Sequence, residues 1–185
     1  MDLDLDLTGV TIRRVTAEDG FLLKDVRLRA VRADPGSFTE VLAEIEHDPD
    51  EESARWAADL SRADADSVVF LAFAGDPATA IGIAGGSLRE EPDRDVRVFG
   101  VWIDPAARGR GVARRLVTEV IAWARTTGRA RMTLCVMETS TAAIALYRAL
   151  GFEEEGCAAP SRVHEGASEL AMALRLEGGI GQPLG

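Results

Sequence analysis

One change of hydrophobic period constrains what this chain can fold into. Val96 to Ile103 reads as a β-strand, and Val112 to Arg125 as an amphipathic helix with Val112, Leu116, Val117, Val120 and Ile121 on one stripe. The link between them is Asp104-Pro105-Ala106-Ala107-Arg108-Gly109-Arg110-Gly111. A strand that hands over this abruptly to a helix must lie in a sheet whose face that helix covers. The full order, strand, two helices, three strands, helix, strand, helix and two strands, gives a mixed α/β sheet.

The rest of the chain fits a mixed sheet. Val10 to Thr16 alternates as a strand, and Glu18 to Val31 carries Phe21, Leu22, Val26, Leu28, Ala30 and Val31 at helical spacing. Asp34-Pro35-Gly36 stops that helix. A second helical region spans Ser37 to Arg62, broken near Asp48-Pro49-Asp50 and carrying Trp56 and Leu60. Strands follow from Ser67 to Phe73, with a turn at Gly75-Asp76-Pro77, and from Ala80 to Gly86, the latter weakened by glycine. An acidic turn, Glu90-Glu91-Pro92-Asp93, leads into Val96. Beyond the amphipathic helix come a buried-type strand (Ala130 to Met137), a short helix (Ser140 to Leu150) with hydroxyls to cap its start and Gly151 to end it, and two more strands (152–159 and 168–176). Without a repeat or a linker, residues 10–176 are expected to form a single domain, with 1–9 and 177–185 as loose tails.

Charge narrows the function. The chain carries 21 basic and 31 acidic residues, net −10, the wrong sign for a general binder of nucleic acid or anionic membrane. An acidic surface serves solubility, and it also draws in cationic small molecules. Two cysteines exclude a disulfide framework. No apolar run approaches the ~18 residues of a membrane span, and the acidic start Met1-Asp2-Leu3-Asp4 lacks the basic flank of a signal peptide; a cytoplasmic location is expected.

Arg108-Gly109-Arg110-Gly111-Val112-Ala113-Arg114-Arg115 breaks the acidity, with four arginines and no acid at a helix start. Unpaired N–H groups and the positive dipole end make such a start an anion site, and glycines at 109 and 111 let the backbone approach a bulky anion. The spacing is neither that of a P-loop, since no Gly-Lys-Ser/Thr follows, nor of a dinucleotide fingerprint, since Gly-x-Gly-x-x-Gly fails at Arg114.

Here the sequence resembles the GNAT N-acetyltransferase superfamily. Arg108-x-x-Gly111-x-Ala113 matches its Arg/Gln-x-x-Gly-x-Gly/Ala pyrophosphate loop, after a strand that leaves through Asp104-Pro105. Ala143-Ile144-Ala145-Leu146-Tyr147-Arg148-Ala149-Leu150-Gly151-Phe152 is similar to its Ala-x-x-Leu-Tyr-x-x-x-Gly-Phe segment. The resemblance implies a mostly antiparallel α/β sheet of six to seven strands, splayed between the fourth and fifth and flanked by about four helices. It implies acetyl-CoA as co-substrate and an amine acceptor, either a small molecule or a peptide α-amine. Arg108, Gly109, Arg110, Gly111, Val112 and Ala113 would take the pyrophosphate, and the backbone of Val101, Trp102 and Ile103 the pantetheine arm. Tyr147, the sole tyrosine, would donate a proton to the departing thiolate. In that family surfaces of the fifth to seventh strands often pair two subunits, so a homodimer is an expectation of the resemblance alone.

Two departures stand out. Ser140 occupies the position where relatives usually have Asn; its hydroxyl can bond the cofactor or cap the helix but lacks the paired donor and acceptor of an amide. The general base is also displaced. Relatives that carry Glu on the fifth strand have it where this chain has Cys135, and Val96 to Ile103 contains no acid for the fourth-strand alternative. Glu138 is the first candidate base, on the face opposite Cys135 by alternation, followed by Asp104, Glu40 and a water chain to solvent. Cys135 is expected in the core, since no histidine neighbours it to make it a nucleophile. His47 and His164 are isolated, so no metal site is expected. Phe38 and Trp56 are candidates for an acceptor pocket or for helix-to-sheet packing. An acyl-CoA-binding module without activity and an acyltransferase with a non-amine acceptor are the rival readings.

Overall fold

The computed structural model describes residues 9–34, 50–75, 79–88, 95–160 and 168–176. The expectations placed on the N-terminal tail before Gly9, on Pro35 and Gly36, on the helical stretch from Ser37 to Pro49 with Phe38, Glu40 and His47, on Asp76-Pro77, on the acidic turn 90–93, on His164 and on the tail 177–185 lie outside these residues.

The elements run β1 (Val10–Arg14), α1 (Gly20–Ala33), α2 (Asp50–Ser61), β2 (Ser67–Ala74), β3 (Ala80–Leu88), β4 (Val96–Ile103), α3 (Val112–Thr126), β5 (Arg131–Met137), α4 (Thr141–Ala149), β6 (Glu153–Pro160) and β7 (Ser168–Arg175). The sheet has seven strands in the order β1-β2-β3-β4-β5-β7-β6. All neighbours are antiparallel except β4 and β5, which are parallel and pair only at Val96↔Met132 and Arg97↔Thr133. Past those two rungs the strands part, as the expected splay requires.

Each face of the sheet has its own core. On one, α3 packs Leu116, Val117 and Val120 beside Met132, Val136, Tyr147 and Met172. On the other, α1 and α2 pack Leu23, Val26 and Leu60 against Leu71, Ile83 and Trp102. Leucines with no exposed surface such as Leu23 and Leu116 each contribute about 2 kcal/mol from burial. The glycines of β3, expected to weaken it, are what let α3 sit close: a Cβ on Gly86 would lie 2.8 Å from Val120 and 2.9 Å from Trp123.

Strict alternation breaks inside β4. Gly85 pairs with Phe99 and Ile83 with Trp102, so Gly100 and Val101 together face Ala84. Gly100 has φ +61°, the left-handed backbone that a bulge of this type needs. Upstream, Val96 and Val98 point to the α3 core; downstream, Ile103 does so while Trp102 joins the α1 core with Phe99. Cys135 departs from expectation too. It is exposed, because β5 buries Met132, Leu134 and Val136 and the intervening residues face the side that α3 and α4 do not cover.

The closed end of the seam between β4 and β5 is fastened by charge. The buried carboxylate of Asp95 accepts from Arg131 at 2.7 Å, and Arg131 also donates to Glu155 at 2.6 Å. This network spans β4, β5 and β6 where the strands still touch.

Candidate active site

Local sequence builds a cradle at the open end of the seam. β4 ends at Ile103, and a 3-10 turn, Pro105–Ala107, follows, headed by Asp104, whose carboxylate accepts from the Ala106 N–H at 3.0 Å. Gly109 then adopts φ +74° and Gly111 φ +80°. Gly111 is the N-cap of α3 with no side chain to cap it, so the first amides of the helix are left to an incoming acceptor. A Cβ at either glycine would meet nothing within 4 Å. The space in front of the loop is therefore open, and the backbone is what faces it. Arg110 and Arg114 are exposed on either side of the helix start, which suits a doubly charged diphosphate.

The cradle abuts the open seam directly. Among the described residues, the inner edges of 98–103 and 134–137 have no strand neighbour across the gap, while their outer edges are paired to β3 and β7. Such an inner edge is a row of backbone donors and acceptors for an extended chain. Ile103, Val112, Val136, Ile144 and Tyr147 share one apolar cluster, which joins the strand ends, the helix start and α4.

Tyr147 is 7% exposed and stacks edge-on against Phe152, with ring centroids 5.7 Å apart. Burial pushes its phenol up to about 12. It stays protonated across the physiological range and can give a proton rather than take one.

The remaining candidates are more scattered. Ser140 is at the N-cap of α4, yet its hydroxyl makes no capping hydrogen bond, so the expected cap is not formed. Glu138 is exposed and lies just past the end of β5, where alternation no longer fixes its face; its N–H donates to Ser168 O at 3.1 Å. Asp104 is engaged in structure, capping the 3-10 turn and pairing with Arg29 at 3.2 Å. Trp56 is half-buried beneath the Arg27 guanidinium, 4.7 Å from its ring centroid, and packs on the α1 core. Among the described residues no cluster of three metal-ligating side chains occurs, and no helix is long and apolar enough to cross a membrane.

Three features escaped sequence reasoning. The side chain of Arg108 turns away from the cradle: Nε donates to Ile103 O at 3.0 Å and Nη2 to Asp34 Oδ2 at 2.6 Å. Arg29 lies 5.5 Å over the Trp102 ring. The Trp102 indole N–H is buried with no acceptor among the described residues. All three depend on contacts far apart in sequence, for which no local pattern exists.

Comparison with known proteins agrees with this fold. The sequence profile described as the acetyltransferase (GNAT) family matches residues 31–152. An N-alpha-acetyltransferase RimI from Mycobacterium tuberculosis is 39% identical over 79 residues, 42% of this chain and 48% of that protein. A mycothiol acetyltransferase from Salinispora tropica is 36% identical over 137 residues, 69% of this chain and 44% of that protein. The chain thus spans less than half the length of either relative. Among solved structures, a GNAT-family acetyltransferase from Streptococcus pneumoniae superposes with TM-score 0.74 at 22% identity, covering 90% of this chain and 99% of its own. A putative acetyltransferase from Salmonella typhimurium with its cofactor acetyl-CoA gives 0.73 at 20% identity, covering 92% and 95%. A spermidine N-acetyltransferase from Vibrio cholerae in complex with CoA and spermine gives 0.70 at 18%, covering 93% and 98%.

Proposed function

The chain belongs to the acetyltransferase (GNAT) family, and from that premise we propose that it transfers the acetyl group of acetyl-CoA to a primary amine by direct attack in a ternary complex. The observation that carries the proposal is the uncapped, glycine-led start of α3 standing against the open seam. That arrangement fits a ligand with a diphosphate at one end and an amide-bearing arm at the other. Two relatives named for acetylation at nitrogen, the N-alpha-acetyltransferase and the spermidine N-acetyltransferase, support an amine acceptor.

Acetyl-CoA, when bound, supplies an activated acyl thioester and a diphosphate handle. The N–H groups of Arg110 to Ala113 hold the diphosphate, with Gly109 and Gly111 leaving room for it. The backbone of Val101, Trp102 and Ile103 pairs with the pantetheine arm as a strand would. Inner-edge N–H groups of the parted strands stabilise the charge that gathers on the thioester oxygen. The Ser140 hydroxyl, free of a capping duty, is a further contact for the same ligand. Tyr147 gives its proton to the departing sulfur. An amine with pKa ~10 must first lose a proton, and Glu138, exposed at the end of β5, receives it. Residues 10–176 act as one cytoplasmic domain, paired as a homodimer.

The test is release of free thiol from acetyl-CoA in the presence of a panel of amines: small diamines and polyamines, amino acids, aminoglycosides and peptides with a free α-amine. Turnover with an amine supports the proposal. CoA binding with no thiol release from any amine or alcohol would make the chain a binding module, and release with alcohols alone would move the acceptor to oxygen.

A further inference from the structure

Two ion pairs fasten the end of α1 to the segment between the open seam and α3. Arg29 donates from Nη1 to Asp104 Oδ2 at 3.2 Å and from Nη2 to Ala80 O at 2.5 Å. Arg108 donates from Nε to Ile103 O and from Nη2 to Asp34 Oδ2. Asp34 is the C-cap of α1, and its own N–H donates to Ala30 O. The arginine that the sequence motif assigns to the anion is thus turned toward the first helix.

Arg108 also occupies a particular mechanical position. It closes the 3-10 turn, its N–H bonded to Pro105 O, and it precedes two glycines with positive φ that can adjust at little cost. Arg108 joins this loop to the end of α1 through its contacts with Ile103 O and Asp34. We propose that Arg108 is a positioning residue, which couples occupancy of the cradle to the last turn of α1 through Asp34. The inference rests on the cradle being the CoA site. It deepens that reading by linking the cofactor loop to the end of α1. Coupling is reciprocal: whatever steadies the last turn of α1 also tightens CoA binding by the same factor. The pair is half-exposed, with Arg108 46% and Asp34 35% accessible, so the coupling is about two- to fivefold, the range of an exposed ion pair.

Hydrogen exchange read by mass spectrometry, with CoA as the probe, tests this in the full chain. Saturating CoA should slow exchange of the 31–34 amides about threefold in the wild type. Asp34→Asn, which keeps a good C-cap residue, should abolish that slowing while leaving the Kd for CoA within about twofold. Asp34→Glu should restore it, which a loss of helix capping alone would not allow. An unchanged response in Asp34→Asn, or no response in the wild type at saturating CoA, overturns the coupling while leaving the CoA site standing. Failure of the wild type to bind CoA would overturn the proposed function, and the coupling with it.

Discussion

Tyr147 illustrates how burial sets chemistry at a single side chain. Its phenol is raised to about 12 by desolvation, so its acid form is lost only as pH rises through that value. Between about pH 7 and 10 the pH–rate profile should therefore climb with deprotonation of the acceptor amine and show no descending limb from Tyr147. Tyr147→Phe keeps the ring against Phe152 and removes only the hydroxyl. Turnover should fall by roughly 10²-fold with CoA affinity nearly unchanged, measured by thiol release and calorimetry. Unchanged turnover would remove the proton-donor role. Gly111 poses the converse case, where the absence of a side chain is what counts. Gly111→Val forces a β-branched residue to φ +80° and sets its Cβ in the space before the helix start. The expected result is CoA binding weakened by roughly 10²-fold and a stability loss of about 1–2 kcal/mol by thermal melting. Wild-type affinity would refute the loop assignment.

At the scale of elements, charge fastens strands and helices that apolar packing alone would leave free to slide. The buried carboxylate of Asp19 accepts from both Arg13 nitrogens, at 2.5 and 2.7 Å, and from the N–H and hydroxyl of Thr16, locking β1 to the start of α1. The Arg13 contact, chiefly, lowers its pKa to about 2. A depressed carboxylate stabilises the fold above its unfolded value and loses that contribution as pH falls, here between about 4 and 2. Asp19→Asn should cost about 2 kcal/mol at neutral pH, and denaturant melts should show it flatter than wild type through that acid window. Much of this framework was legible beforehand. From Ser67 onward each expected strand and helix is present, with ends shifted by one or two residues, because long periodic runs separated by Gly, Pro and acid signal themselves locally. What escaped was of another kind. The glycines of β3 looked like weakness because nothing local says that α3 crosses there. Cys135 looked buried because its apolar neighbours are, while the strand that carries it is covered on one face only. Arg108 matched a motif by identity, and the motif says nothing of where its side chain turns.

The whole molecule bears net charge −10, and the basic loop at residues 108–115 stands out against it. Under the proposed function, a cationic acceptor would be drawn by the general field, and the anionic cofactor would be met by the local arginines. For a polyamine acceptor, kcat/KM should drop severalfold between about 20 and 200 mM salt, as the screening length shortens from roughly 20 Å to below 10 Å. For a peptide of net charge zero it should stay nearly flat; equal salt dependence for both would dissociate the acidic surface from acceptor choice. The bulge at Gly100 bears on how such a protein can diversify. Its single additional residue works as a phase shift, so that β4 before it and β4 after it answer to different demands. Ahead of Gly100 the strand holds the core and the two rungs to β5; after it the strand borders the open seam. Deleting Gly100 would restore plain alternation, since Val98, Val101 and Ile103 share one face and Phe99 and Trp102 the other, and would take away only the left-handed kink that separates the two halves of the strand.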